Sequence, residues 1–144
     1  MEFKYIDIES VYYDEAVTLR KRLFFNKMKN SNELINDDYE LKGIHLICLY
    51  KNEVVGTGRL NIENKTSIVS QMAIKKACQN KGIGAEILRK LITYSEEKKV
   101  NKVELNARET AIPFYQKYDF KTFGNKYPSK KTQIIHQKMV LNIL

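Results

Sequence analysis

The sequence has few of the residues on which several classes of protein depend. Its 144 residues include two Cys, two His, two Pro and six Gly, and no Trp. Cys48 and Cys78 do not form a CxxC pair, and His45 and His136 lie far apart. Because a structural zinc site needs closely spaced Cys and His ligands, we expect no metal ion, and two cysteines make no disulfide framework. So few Gly and Pro residues also argue against a low-complexity or disordered chain.

Long apolar runs are absent too. No window approaches the ~18 consecutive apolar residues of a membrane span. The segment Met1–Lys4 lacks the basic and then apolar layout of a secretory signal. We therefore expect a cytoplasmic protein with reduced thiols and no membrane partner. At roughly 100–200 residues per domain, residues 1–144 correspond to a single domain.

The chain carries a clear excess of positive charge, with 25 Lys and Arg against 17 Asp and Glu and a formal net charge of +8. Such a charge favours an anionic partner, which could be a nucleic acid, a membrane surface or a phosphorylated small molecule. A basic nucleic-acid-binding module is therefore one alternative, supported by interleaved Tyr and Lys near the C-terminus. No RRM, KH or zinc-finger signature accompanies that charge, so we expect no nucleic-acid partner.

Hydrophobic periodicity predicts the order of helices and strands. The predicted strands are Phe3–Ile8, Ile44–Tyr50, Val54–Ile62, Thr66–Ile74, Val103–Leu105 and a last β-prone stretch, Gln133–Ile143. The predicted helices are Val11–Asn26, capped by Ser10, then Ile83–Ile92, and Ala111–Tyr118 with Pro113 in its first turn. Residues 30–43 form a loop or a short helix. This order predicts an α/β (α+β) domain, whose central mixed, mostly antiparallel sheet is flanked by helices.

The most informative segment is the glycine loop, residues 79–85, which lies between a predicted strand and a predicted helix. Gly82 and Gly84 allow positive φ angles and the close approach of a ligand. The N–H groups at the start of a helix attract anions. The loop completes neither nucleotide motif: no Ser or Thr follows Lys81, and Ile87 takes the third glycine position of GxGxxG. The loop is thus either a phosphate site or a helix start that uses glycine for close packing.

Three motifs together resemble the GCN5-related N-acetyltransferase (GNAT) family. Gln79, Gly82 and Gly84 look like its [Q/R]xxGxG/A motif, and Val54–Leu60 looks like its VVGxxRL strand. The stretch Asn106–Phe120 is similar to its NxxxxxxxFYxKxGF pattern. The resemblance covers roughly residues 44–124. It implies acetyl-CoA as co-substrate and transfer of the acetyl group to a primary amine of a small molecule or peptide, by direct attack through a tetrahedral intermediate.

The resemblance also implies where acetyl-CoA binds. The strand Thr66–Ile74 would splay from its neighbour, and backbone N–H groups of that strand would hold the pantetheine arm in the gap. The glycine loop would hold the pyrophosphate. Asn106 would hold the amide chain of the cofactor, or is an ordinary cap. The implied cofactor-binding residues are Met72, Ala73, Ile74, Gln79, Asn80, Lys81, Gly82, Ile83, Gly84, Ala85, Asn106, Phe114 and Tyr115.

Two catalytic roles follow from the resemblance. Tyr115 would protonate the leaving thiolate, since a phenol with a pKa near ~10 is protonated at pH 7. The alternative is that Tyr115 is a core residue on an amphipathic helix. The backbone N–H of Met72 would stabilise the charge that develops on the thioester oxygen.

The general base stays unassigned in the sequence. Many relatives carry a carboxylate on the fourth strand, but Ser70–Ala73 contains none. The candidates are His136, Glu33, Asp37 and Asp38. Because this carboxylate is missing, a non-catalytic acyl-CoA sensor is an alternative function.

The sequence does not identify the acceptor amine either. The acidic loop formed by Glu33, Asp37, Asp38 and Glu40 could receive a cationic amine, or is a solvated surface loop. Similar proteins are often dimers, so a homodimer is the assembly to test.

Overall fold

A computed structural model of the protein describes residues 1–25 and 28–143. The strands are β1 Glu2–Ile6, β2 Ile44–Tyr50, β3 Glu53–Glu63, β4 Thr66–Ile74, β5 Lys102–Arg108, β6 Lys121–Pro128 and β7 Ile135–Asn142. The α-helices are α1 Tyr13–Phe24, α2 Ser31–Ile35, α3 Ile83–Glu97 and α4 Ile112–Gln116. Short 3-10 turns, Lys76–Cys78 and Glu109–Ala111, precede α3 and α4.

All seven strands join one sheet in the order β1-β2-β3-β4-β5-β7-β6. Each neighbouring pair is antiparallel except β4 and β5, which run parallel. Parallel neighbours need a crossover connection, and α3 supplies it. The predicted meander of β2, β3 and β4 is confirmed, as is the mixed, mostly antiparallel sheet.

Helices cover both faces of the sheet. One face packs on α3, whose apolar positions at helical spacing are buried as the sequence predicts. That core layer includes Leu46, Leu60, Val69, Ile87, Leu88 and Leu91. The other face packs on α1, where Ala16 and Leu19 contact Ile47, Val54 and Ala73. The sheet is therefore the central layer between α3 and α1.

Several predicted boundaries are wrong. Helix α1 begins at Tyr13, with Tyr12 as its cap residue, because the Ser10 side chain instead accepts a hydrogen bond from the N–H of Tyr12 over 3.1 Å. The predicted end of that helix, Asn26, lies outside the described residues. The first strand ends at Ile6, and β5 is longer than Val103–Leu105 because all seven of its residues pair with β7.

The C-terminal part differs most from prediction. Helix α4 stops at Gln116, short of Tyr118, although Pro113 does lie in its first turn. Strand β6 was not predicted from the sequence. All eight residues of β6 are exposed, so the strand lacks the alternation of apolar and polar residues by which a half-buried strand is recognised.

Candidate functional site

Strand β4 bulges in the middle of the sheet. Ala73 pairs with Thr57 and Ser70 pairs with Arg59, so two β4 residues face the single β3 residue between them. Gln71, the first of the two, has a φ of +56°. Such a bulge bends the strand and locally increases its twist.

The bulge coincides with the separation of β4 from β5. The parallel pairing of the two strands ends at Val69 and Leu105. Beyond it, alternate backbone N–H and C=O groups of β4 have no partner on β5. A cleft of about 480 Å³ opens there, lined by both strands, by the end of α1, by α4 and by the segment around Lys131. A cleft of this size suits a small molecule or part of a larger one.

Tyr115 and Met72 meet across this cleft. The Tyr115 hydroxyl lies 3.9 Å from the Met72 sulfur. The Tyr115 ring packs edge-on against Phe114 and Phe120, with centroids 5.0 and 5.9 Å away. Burial raises the pKa of Tyr115 to about 12. The phenol is therefore protonated at neutral pH and can donate a proton to a group in the cleft.

The glycine loop leads into the N-terminus of α3. Gly82 is the cap residue with a φ of +87°, and no side chain caps the helix. The N–H groups of Ile83, Gly84 and Ala85 precede the first intrahelical donor, Glu86, and so lack an acceptor within the helix. Together with the helix dipole they can bind an anion.

Of the two glycines, only Gly82 needs glycine for its backbone conformation. Gly84 lies in the first turn of α3 and has no positive φ. A Cβ at Gly84 would lie 3.7 Å from a side-chain carbon of Ile74, an ordinary contact. Close packing therefore does not require glycine at position 84.

The other predicted cofactor residues occupy three kinds of position. Met72, Ile74, Gln79, Asn106 and Tyr115 line the cleft. Ala73 lines it too, but its methyl group is buried against α1. Asn80–Ala85 and Phe114 do not line the cleft. The Gln79 side chain donates a hydrogen bond to the Ile74 carbonyl over 2.9 Å, which ties the glycine loop to the end of β4.

A buried ionic network lies behind the bulge. Glu40, 1% exposed, accepts hydrogen bonds from both terminal nitrogens of Arg20, at 2.7 and 2.8 Å. Tyr13 and Arg59 donate to the same carboxylate at 2.6 and 2.9 Å. Burial opposes ionisation of Glu40, but the hydrogen bonds from Arg20 and Tyr13 outweigh it and lower the pKa of Glu40 to about 2.

The network continues to the cleft. Arg59 forms two hydrogen bonds with Asp37, and Lys131 donates a third over 2.8 Å. Despite burial, these two cations lower the pKa of Asp37. On the opposite side, Arg59 Nε donates to Ser70 Oγ over 2.9 Å. The network therefore joins the acidic loop to β4 and to the segment that precedes β7.

This arrangement corrects the interpretation of the acidic loop. Glu40 is buried rather than solvated, and Asp37 is held by two cations. Glu33 and Asp38 are exposed and are not part of the cleft lining. No carboxylate of the described residues lines the cleft.

His136, the other candidate base, does line the cleft. Its Nδ1 lies 2.8 Å from the Ile134 carbonyl, which can only accept, so Nδ1 carries the hydrogen. In the neutral ring Nε2 is then the proton acceptor. The ring stacks on Tyr127 at a centroid distance of 6.3 Å, which fixes its orientation.

Residues 1–25 and 28–143 contain neither a membrane-spanning helix nor a cluster of metal ligands. None of the helices there combines the length and apolarity needed to cross a bilayer. No three His, Cys, Asp or Glu side chains in these ranges gather into a group that could hold a metal ion.

Comparison with known proteins decides the family. A family model described as an acetyltransferase (GNAT) domain matches residues 9–143. The chain belongs to the GNAT acetyltransferase family. The Bacillus subtilis protein YyaT is 25% identical over 130 residues, 88% of this chain and 87% of that protein.

Solved structures share the GNAT fold. Escherichia coli ElaA superimposes with a TM-score of 0.81 at 20% identity, covering 97% of this chain and 99% of ElaA. An aminoglycoside 6'-N-acetyltransferase in complex with coenzyme A superimposes with a TM-score of 0.78 at 13% identity, covering 100% of this chain and 98% of that one. At these identities the likeness concerns the fold alone.

Sequence reasoning missed three residues of this GNAT site. Arg20, Arg59 and Lys131 are the cations of the ionic network, and their carboxylate partners lie 19 to 94 positions away in the chain. Arg59 falls within the VVGxxRL-like strand, which was the one available signal. Arg20 belongs to the basic run Arg20–Arg22, and such a run is typical of the solvent-exposed face of a helix.

Proposed function

We propose that this GNAT protein is an N-acetyltransferase that transfers an acetyl group from acetyl-CoA to a primary amine. The observation that carries the proposal is the position of Tyr115, whose protonated hydroxyl faces Met72 where β4 and β5 separate. A proton donor beside an open strand edge suits a reaction in which a thiolate leaves from a ligand held along that edge.

The residues present fit the cofactor. The unpaired edge of β4 offers N–H groups of Met72 and Ile74 to the amides of a pantetheine arm, and Asn106 faces them from β5. The N–H groups of residues 81–85 would bind the pyrophosphate, with Gln79 and Asn80 closing the loop and the exposed Lys81 nearby. The coenzyme A complex of the aminoglycoside 6'-N-acetyltransferase, which has the same fold, supports this assignment.

When bound, acetyl-CoA supplies the activated acetyl group as a thioester. The Met72 N–H would donate to the thioester oxygen as charge develops there. Tyr115 would donate its proton to the sulfur of the departing thiolate, which leaves as the thiol.

His136 Nε2 would accept the proton that the amine loses. A primary amine with a pKa of ~10.4 is mostly protonated at pH 7 and must lose a proton to attack. Since no carboxylate of the described residues lines the cleft, His136 is the candidate base that remains.

The first experiment is a titration with acetyl-CoA, followed by thermal unfolding, of the wild type and Gly84→Glu. A ligand at ~100 times its Kd adds about 2.7 kcal/mol of stability, an upward shift in Tm of several degrees. Gly84→Glu should lose this shift, because a carboxylate would stand among the N–H groups that bind the phosphates. Thr93→Glu adds the same charge at an exposed position of α3 and should keep the shift. A wild type that melts cooperatively with no shift would contradict the proposal.

An acyl-CoA sensor is the second candidate, because the described part of the cleft lacks a carboxylate base. A thiol-release assay separates the two functions. Release of coenzyme A with a primary amine supports the transferase, whereas a strong thermal shift without release for any amine supports the sensor.

A further inference from the structure

The cleft has an unusual charge for a site that takes an amine. Its described lining includes Arg108, Lys131 and His136 but no Asp or Glu. The network behind it adds to this bias, because three cations, Arg20, Arg59 and Lys131, are matched by only two carboxylates, Asp37 and Glu40. An acceptor with several positive charges would therefore enter a cleft that repels it.

Of the cations that the described part of the chain places in the cleft, Lys131 pairs with Asp37, whereas Arg108 is in no ion pair with another described residue. It lies two residues beyond Asn106 on β5 and directly opposite His136 on β7. Its guanidinium stacks over the Phe24 ring at 5.4 Å from the centroid, which holds the side chain against the cleft wall. Glu104, the one carboxylate of β5, forms ion pairs with Lys102 and Lys138, and Glu109, the residue after Arg108, forms an ion pair with Lys126. Within residues 1–25 and 28–143, Arg108 forms no ion pair.

A guanidinium that is held in place and unpaired can recognise oxyanions. Its planar fork forms two parallel hydrogen bonds with a carboxylate or a phosphate, which an ammonium group cannot do. Phe24 and Tyr127 also line the cleft and offer apolar surface to the remainder of a small molecule. His136, the candidate proton acceptor, lies beside Arg108, so an anion on Arg108 would place a nearby amine next to Nε2.

We propose that the acceptor is a primary amine that also carries a carboxylate or a phosphate, and that Arg108 binds this anionic group. The inference rests on the proposed acetyltransferase function and narrows its substrate to zwitterionic amines. It disfavours polycationic acceptors.

The test uses matched pairs of amines that differ only in the anion. L-phenylalanine is compared with phenethylamine, and O-phosphoethanolamine with ethanolamine, while spermidine serves as the polycation. Thiol release from acetyl-CoA gives kcat/KM for each. We expect one of the anionic amines to exceed its neutral partner by about 10- to 100-fold, the range of a charge-assisted hydrogen bond. The two pairs distinguish a carboxylate acceptor from a phosphate acceptor.

Variants at position 108 assign the effect to this side chain. Arg108→Gln should remove the preference, lowering kcat/KM for the anionic amine by about 10- to 100-fold and changing the neutral partner by less than about twofold. Arg108→Lys keeps the charge without the fork and should give an intermediate value. Arg89→Gln removes the same charge from the exposed face of α3 and should leave the preference intact.

Several results would overturn the inference. They are a preference for the neutral amines or spermidine, an equal loss for both members of a pair in Arg108→Gln, and acetyl-CoA binding without acetylation of either anionic amine. Loss of the acetyl-CoA thermal shift in Arg108→Gln would also overturn it, since Arg108 would then serve the cofactor. Failure of the proposed function itself looks different: the wild type would show no acetyl-CoA shift.

Discussion

Arg20 Nε donates a hydrogen bond to Oε1 of Gln71 over 3.1 Å, which links a buried cation of α1 to the bulge of β4. Gln71 is the bulge residue in the left-handed conformation, with a φ of +56°. Such a backbone conformation persists only where its surroundings fix it. The two terminal nitrogens of Arg20 bind Glu40. Arg20 therefore connects the buried ionic network directly to the bulge at which β4 separates from β5.

We predict that Arg20→Met destabilises the protein by about 3–5 kcal/mol, because Glu40 keeps its burial but loses its bidentate partner. Urea unfolding measures the effect. Arg20→Lys retains a charge near Glu40 and should therefore be less destabilised than Arg20→Met. Because Arg20→Lys loses the Nε donor to the bulge residue Gln71, it should raise the KM for acetyl-CoA. An Arg20→Met variant within 1 kcal/mol of wild type would show that Arg59 and Tyr13 are enough to satisfy Glu40.

Acid should unfold the protein through the same network. The folded-state pKa of Glu40 is lowered to about 2 from an ordinary 4.5, so its ionised form stabilises the fold above about pH 5. That stability is lost as the pH falls from about 5 to 2, and Asp37, with its lowered pKa, adds to the loss. Glu40→Gln should be less stable than wild type at pH 7, and its free energy of unfolding should vary less between about pH 5 and pH 2. Unfolding free energies from pH 2 to 7 give both slopes, and parallel slopes would contradict the assignment.

Glycine substitutions should separate packing from ligand access. A Cβ at Gly58, opposite the bulge, would lie 2.8 Å from an Ile87 side-chain carbon, so Gly58→Ala should cost about 1–3 kcal/mol. Gly84→Ala meets only ordinary contacts and should leave stability within about 1 kcal/mol of wild type. Thermal unfolding without ligand compares the two. Equal destabilisation would mean that glycine at position 84 is a packing requirement after all.

Local patterns predicted most of the sheet. Ile44–Tyr50 and Thr66–Ile74 are strands with the predicted bounds, because turn residues delimit each apolar segment. The crossover helix α3 was recognised by its amphipathic spacing. β6 was not, because an exposed edge strand has no buried face to leave a pattern.

The motifs around the glycine loop and Tyr115 correctly placed the loop just before a helix and Tyr115 within one, whereas their roles in binding and catalysis stay predictions. The ionic network was not predictable, since its pairs join distant segments, such as Lys131 with Asp37, 94 positions apart. Charged residues are rarely buried unless they are paired, so a sequence alone favours an exposed position for each of them. Which charged residues pair with one another becomes known only from the fold. The acidic loop was therefore assigned either to solvent or to the substrate, and the structure contradicts both assignments for Glu40.

Tyr115 should govern the rate without producing an alkaline limb in the pH profile. Burial raises its pKa to about 12, so the proton it donates is present throughout pH 6–10. Tyr115→Phe keeps the ring packing on Phe114 and Phe120 but removes the donor, and kcat should fall by about 10²–10⁴-fold. The acetyl-CoA thermal shift should persist, because the binding N–H groups are untouched. A kcat within threefold of wild type would remove Tyr115 from the mechanism. A fall in wild-type kcat between pH 8 and 10 that disappears in Tyr115→Phe would show that the phenol ionises there, contrary to its burial.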